Sequence, residues 1–175
     1  MDEFGRLTLA DIARLAAERR LPPVERWDPP HRGHSAMRIA RDGGWHHEAR
    51  PIRRLELVRL FASILRREPN GGYVLVTPAE KLTIDVEDAP FVAVEMKSEG
   101  EGRARALAFR LNTGEVVLAG PEHRLRLDGP RPYLDVRQGL DALVARPVWY
   151  DLAETALDEG GVWSGGDFFP MGAGA

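Results

Sequence analysis

The sequence predicts an α+β fold of two lobes, built from antiparallel hairpins and sheets with covering helices. Three observations predict it. Tyr73–Lys97 strings together β-branched and aromatic residues more densely than any other stretch, broken only by Pro78 and Pro90. It reads as three successive strands, Tyr73–Thr77, Lys81–Glu87 and Phe91–Met96. Amphipathic helices and turn-punctuated hairpins lie on both sides of this run. Finally, Met37-Arg38-Ile39, a glycine turn, a returning strand and Pro51 are echoed by Phe109-Arg110-Leu111, a glycine turn, a returning strand and Pro121, 70 to 72 residues later. The echo suits an internal structural repeat, although alternating hairpins also look alike by chance. With a repeat, Tyr73–Lys97 becomes a floor shared by two hairpin-and-helix units. The expected organisation is an N-terminal helix over 1–23, lobes over 24–97 and 98–160, and a tail over 161–175 docked on the body.

Each element has its own signal. Leu7–Leu21 is a helix: Leu9, Ile12, Ala13 and Ala16 recur at helical spacing, Thr8 with Asp11 makes a capping box, and Pro22-Pro23 stops it. Val24–Ser35 reads as a loop pinned by Trp27. Ala36–Arg50 is a hairpin about Asp42-Gly43-Gly44, where glycine supplies the positive φ of a tight turn. Arg53–Arg67 carries a broad apolar stripe (Leu57, Val58, Leu60, Phe61, Ile64, Leu65) and reads as the best helix, ended by Pro69-Asn70-Gly71-Gly72. After Lys97, Ser98–Arg103 is an exposed turn, and Ala104–Leu111 with Glu115–Leu118 forms a second hairpin. Strands follow at His123–Leu127 and Tyr133–Arg137, then a short helix at Gln138–Ala145. Pro147 starts a last helix to about Leu157, with Trp149, Leu152, Ala153 and Ala156 as its apolar stripe. The glycine-rich tail carries Trp163, Phe168 and Phe169, which a flexible linker would not need.

Composition narrows the function. A 175-residue chain buries roughly 70% of its unfolded surface and needs no disulfide or metal to fold. Cysteine is absent, which removes thiolate nucleophiles and zinc-thiolate sites and fits a reducing cytosol. No signal peptide or membrane span is expected, and a cytoplasmic location is. The net charge of −3 argues against a nucleic-acid partner. Arginine is the default cation, so the only two lysines, Lys81 and Lys97, stand out. Lys81 reads as a solvated strand end or as a functional cation in the central run.

Specific chemistry is sparse. There is no G-x-S-x-G elbow, P-loop, G-x-G-x-x-G after a strand or H-E-x-x-H, and no cofactor is expected. His31, His34, His46 and His47 are close in sequence, but His46 and His47 point to opposite faces of one strand, so solvated histidines are expected and no metal site. Asp85 and Glu87 share a strand face about 6.5 Å apart, which suits paired acid/base work and equally a charged solvent face. Arg38, Arg59, Arg110 and Arg137 suit bidentate clamping of an anion or ordinary ion pairs with the chain's many carboxylates.

Five strings resemble one family: M-R-I-A-R-D-G with Trp45 three residues after Asp42, P-I-R-R-L-E-L-V-R-L-F-A-S-I-L-R-R-E, the central run from Tyr73 to Met96, R-P-Y-L-D-V-R-Q-G-L-D-A-L, and G-V-W-S-G-G-D-F-F-P. From about Pro22 onward the chain resembles the bacterial family known as domain of unknown function 1285. The resemblance implies an α+β protein of two lobes with repeated strand-and-helix motifs, a ligand site between lobes and a regulatory or signalling role. It carries over no catalytic residues. His46-His47 stands where the family resemblance implies an aromatic and a polar residue, a departure that weakens a metal reading.

The leading expectation is a non-catalytic regulatory module that binds a small molecule, with an anionic one fitting best, or a protein partner. Arg38, Trp45, Lys81, Asp88, Arg110, Arg137 and Tyr150 are the expected lining residues. The alternatives are a hydrolytic enzyme using Asp85 and Glu87, with or without a metal, and a structural adaptor whose tail or apolar helix face pairs with another chain.

Overall fold

The computed structural model describes residues 3–172. The chain folds as two compact units, one comprising Arg20–Pro90 with Gln138–Leu140, the other Met1–Arg19, Phe91–Arg137 and Asp141–Ala175. They are called here the N-terminal and C-terminal units.

The chain starts with two helices of the C-terminal unit, α1 (Glu3–Arg6) and α2 (Leu9–Glu18). Thr8 and Asp11 form the expected capping box. The Asp11 N–H donates to Thr8 Oγ1 at 3.1 Å, and the Asp11 carboxylate accepts the Thr8 N–H at 3.0 Å and hydroxyl at 2.8 Å. Those bonds hold the Asp11 carboxyl below its ordinary range. Ile12 and Phe4 bury against Ala108, with Val116 and Leu118 alongside. The side chain of Ala16, expected on this stripe, lies outside the described residues. Lys97 donates to the carbonyls of Gly5 and Leu7 at the end of α1, where a cation complements the helix dipole.

The N-terminal unit is a six-stranded sheet with one helix. Its strands are β1 (His31–Ile39), β2 (Trp45–His47), β3 (Arg50–Pro51), β4 (Leu65–Arg67), β5 (Tyr73–Val76) and β6 (Glu80–Val86), with α3 (Leu55–Ser63) between β3 and β4. The spatial order is β3-β2-β1-β6-β5-β4, with β1 and β6 parallel at the centre. Ile39, Trp45, Leu65 and Ile84 are buried on one face of the sheet, and Val76 is buried on the other. Two expectations are corrected. β1 begins at His31, inside the expected loop, because a bulge at Ala36 (φ 59°) lets the polar His31–His34 segment pair with β6 before the register resumes at Arg38. The helix ends at Ser63 rather than Arg67. Leu65–Arg67 pairs with Leu75, Val74 and Tyr73 of β5; Leu65 is buried, strand alternation sets Arg66 on the opposite face, and Arg67 at the end of the strand is exposed.

The C-terminal unit carries β7 (Phe91–Glu99), β8 (Ala106–Leu111), β9 (Val116–Leu118), β10 (Leu125–Asp128), β11 (Arg131–Arg137) and β12 (Leu140–Val144), ordered β10-β11-β12-β7-β8-β9. β7 and β12 are parallel neighbours. The expected helix at Gln138–Ala145 is instead the two-residue turn Gln138-Gly139 followed by β12. Leu140, Ala142 and Val144 alternate inward, and pairing with Phe91–Ala93 outweighs their helix propensity. α4 (Arg146–Ala156) follows, with its proline in the first turn and Val148, Leu152 and Ala156 buried. The tail is docked, as the hairpin β13 (Gly161–Ser164) and β14 (Asp167–Pro170). Ser164 is fully buried, donating to Ala119 O at 2.7 Å and accepting the Leu107 N–H at 2.9 Å. Gly161 lies so close to β14 that a Cβ would meet Phe169 O at 2.4 Å. The last tail residues, 173–175, lie outside the described ones.

Numbering the six strands of each sheet along the chain, both sheets read 3-2-1-6-5-4, with the first and sixth strands parallel. The repeat is therefore topological, and it corrects two earlier expectations. Met37-Arg38-Ile39 lies on a first strand and Phe109-Arg110-Leu111 on a second, so the echo pairs non-equivalent strands. The central run is no shared floor. It divides at Pro90, with β5 and β6 in one sheet and β7 in the other, which also moves the domain boundary from Lys97 to Pro90.

Candidate ligand-binding cleft

The expected lining residues divide between the units, Arg38, Trp45, Lys81 and Asp88 in the first and Arg110, Arg137 and Tyr150 in the second. Three arginines are engaged by carboxylates. Arg38 pairs with Glu87 and Arg110 with Glu95. Arg137 donates to both Glu115 oxygens at 2.9 and 3.0 Å, its guanidinium 5.2 Å from the Phe91 ring centre. Arg19 adds a second cation to Glu115 at 2.6 Å. Trp45 is a core residue stacked on Phe61 (centroids 6.3 Å apart), and its indole N–H finds no acceptor among the described residues. Asp88 is half-buried, and Tyr150 is exposed on α4.

Asp85 and Glu87 each have a basic neighbour. Asp85 is largely exposed beside His34, with Nε2 to Oδ2 at 3.7 Å. Glu87 is held below the ordinary carboxylate range, first by the Arg41 N–H bond at 2.8 Å and then by Arg38. Among the described residues no group of three or more His, Asp or Glu is arranged to hold a metal ion.

Lys81 lines an open cleft of about 630 Å³ in the N-terminal unit. The cleft is built from Arg66. On β4, alternation turns Arg66 toward the face opposite Leu65. Its Nη1 donates at 2.7 Å to both the Val24 and Trp27 carbonyls, stapling the short 3₁₀ turn Val24–Arg26 to the sheet. Its Nε and Nη2 donate to Glu68 at 3.3 and 3.1 Å, and Lys81 Nζ reaches Glu68 Oε1 at 2.8 Å. Burial would raise the Glu68 carboxyl, but the bonds from Lys81 and Arg66 outweigh it and hold Glu68 below its ordinary range. These three side chains are at most 17% exposed and form the rigid floor.

The walls are less committed. Arg67 is exposed, with its guanidinium 5.5 Å from the Tyr73 ring centre and one bond to the Gly139 carbonyl at 3.3 Å. Trp27 is half-buried and makes no ring or cation contact among the described residues. Gln138 holds φ 34° and its carboxamide bonds to none of them. Glu25 and Asp28 complete the rim. Sequence reasoning singled out Lys81 but read Arg66 and Arg67 as a helix end and Gln138 as the start of a helix. Leu65-Arg66-Arg67-Glu68 shows no apolar/polar alternation; the strand there comes from pairing with β5, and it continues the helical stripe before it without a local break.

The C-terminal unit holds a smaller cavity of about 330 Å³, walled by Glu101, Arg105, Asp158, Glu159 and Trp163. The Trp163 N–H donates to Glu159 at 3.0 Å and Arg103 lies 5.0 Å from the indole centre, so that ring is already occupied. Elsewhere in the same unit, Arg126 bridges Asp135 and Asp141 at 2.7 Å each. Burial and a hydrogen bond shared with Asp141 raise the Asp135 carboxyl.

Comparison with known proteins agrees with this division. The Domain of unknown function (DUF1285) N-terminal domain matches residues 22–89, and the DUF1285 C-terminal domain matches residues 90–171. A solved DUF1285 family protein from Silicibacter pomeroyi DSS-3 is 42% identical, with a TM-score of 0.80 over 93% of each chain. Another, from Shewanella baltica OS155, is 24% identical with a TM-score of 0.57, over 69% of this chain and 92% of its own, a likeness of fold alone. No curated protein matches. The chain belongs to the DUF1285 family, its two compact units falling on that family's N- and C-terminal domains.

Proposed function

We propose that this chain is a non-catalytic binding module with a regulatory role, and that its N-terminal unit takes up a small anionic ligand in the Arg67–Lys81 cleft. The observation that carries the reading is the contrast between floor and walls. Arg66, Glu68 and Lys81 are mutually satisfied, whereas Arg67 is an exposed cation with no carboxylate partner among the described residues, held only by the Tyr73 ring and one long bond to a carbonyl. A cation held beside a preformed cleft of this size suits capture of a carboxylate or phosphate. Glu68 beside the cleft floor is held in its charged form by Lys81 and Arg66, which suits a structural role better than proton transfer. A reducing, cytoplasmic setting suits the cysteine-free composition.

A thermal-shift panel of anionic metabolites on wild type and Arg67→Ala tests this. At least one class should raise the melting temperature of wild type, and the shift should vanish in Arg67→Ala with its own unliganded melting temperature unchanged. A panel with no stabilisation, or one that stabilises both proteins equally, contradicts the proposal.

A further inference from the structure

We infer that the ligand of this cleft is a mononucleotide, a nucleoside carrying a phosphate; the inference rests on the proposal that the cleft binds an anion. Each wall supplies what one part of a nucleotide needs. Trp27 is a half-buried aromatic with no aromatic or cationic partner among the described residues, and Arg66 fixes its backbone by the 2.7 Å bond to its carbonyl. An indole carried on a tethered backbone is a stacking platform for a base, with less ordering left to do on binding. Arg67 and Lys81 both line the cleft, and Arg67, which has no carboxylate partner among the described residues, is the cation a phosphate would meet. Glu25 and Asp28 lie on the same turn as Trp27 and offer carboxylate acceptors to ribose hydroxyls.

Gln138 is the independent observation. It occupies the first position of the two-residue turn joining β11 to β12, with φ 34° followed by Gly139 at φ 80°. Such turns favour Asn, Asp or Gly at that position, and a longer side chain there is strained. The side chain makes no hydrogen bond among the described residues to offset this, while Gln138 lines the cleft and its carboxamide can pair with the donor and acceptor edge of a base. Strain held at a cleft wall is the mark of a position kept for what its side chain does. The chain's net charge of −3 favours a free nucleotide over a nucleic-acid strand, whose backbone would need a basic track.

Isothermal titration with AMP, GMP, CMP and UMP tests this, with inorganic phosphate, the parent nucleosides and a hexanucleotide RNA as comparisons. At least one mononucleotide should bind with a micromolar Kd and its nucleoside at least tenfold more weakly. Trp27→Leu, which keeps apolar bulk but removes the platform, should weaken binding roughly tenfold or more. Arg67→Ala should weaken it similarly. Gln138→Gly should raise the melting temperature while weakening binding, a pairing that a purely structural role does not give. If phosphate binds in an Arg67-dependent way and nucleotides bind no tighter, the mononucleotide assignment fails and the anion proposal stands. If neither binds, the mononucleotide assignment fails, and the anion proposal falls with it only when the thermal-shift panel of carboxylates is also silent. If the hexanucleotide binds tighter than every mononucleotide, or Trp27→Leu leaves affinity unchanged, the mononucleotide assignment is overturned.

Discussion

Glu68→Gln tests whether the cleft floor is the rigid structure its geometry describes. Glu68 accepts from Arg66 at 3.1 and 3.3 Å and from Lys81 at 2.8 Å, and the side chains of all three are at least 83% buried. The substitution keeps the shape and removes the charge, leaving two part-buried cations facing a neutral amide. Removing one member of a buried ion pair costs about 3–5 kcal/mol, and the residual exposure here places the cost at the lower end, about 3 kcal/mol. For a chain of this size that corresponds to a melting temperature roughly 6–12 °C lower. The pH dependence has a definite sign. The folded-state value of Glu68 lies below its reference of 4.5, so the stabilisation is fully present above about pH 4.5 and is lost as pH falls through the folded value. The gap between wild type and variant in urea unfolding should therefore be wide at pH 7 and should close on acidification. A variant within about 0.5 kcal/mol of wild type at pH 7, or a gap that widens toward acid, refutes the reasoning.

Other expectations follow from the same geometry. Ser164→Ala strands the Leu107 N–H and the Ala119 carbonyl in a fully buried site and should cost about 1–3 kcal/mol by chemical denaturation. Gly161→Ala should be worse, because its Cβ would meet the Phe169 carbonyl at 2.4 Å and part the tail hairpin; limited proteolysis within residues 161–172 should read the loosening. Asp135 has a folded value raised above its unfolded one, so it stabilises the native state less as pH rises through the folded value. Asp135→Asn should flatten that acid-range dependence and melt no lower than wild type at pH 7; a drop of several degrees there contradicts the assignment.

Much of the architecture was legible because local signals and tertiary context agree. The Thr8–Asp11 capping box, the Asp42-Gly43-Gly44 turn, the strands around Tyr73–Glu87 and Pro147 at the start of α4 all combine a pattern with a matching stop or start. The family resemblance and the two-lobed α+β class were legible for the same reason, since long ordered strings carried them. Legibility failed where pairing overrides propensity. Leu65–Arg67 continues a helical stripe and Gln138–Ala145 is rich in helix formers, yet both are recruited as strands by partners far along the chain, β5 for the first and β7 for the second. The candidate cleft was legible only in Lys81. Its organising residue, Arg66, owes its place to that strand pairing and to two carbonyls about 40 positions earlier, which no local pattern encodes. The repeat was sensed for an unsound reason, because the echo matched a first strand to a second, while the real correspondence lies in strand order.

The central claim is that a ligand is taken up in the cleft of the N-terminal unit, and amide and indole chemical shifts during titration test it most directly. With AMP, GMP, CMP or UMP added to ¹⁵N-labelled protein, the account predicts saturable shifts concentrated at the Trp27 indole, Arg67, Lys81 and Gln138. Shifts centred instead on Trp163 and Arg105 of the C-terminal unit, or none at millimolar nucleotide and phosphate alike, would contradict it.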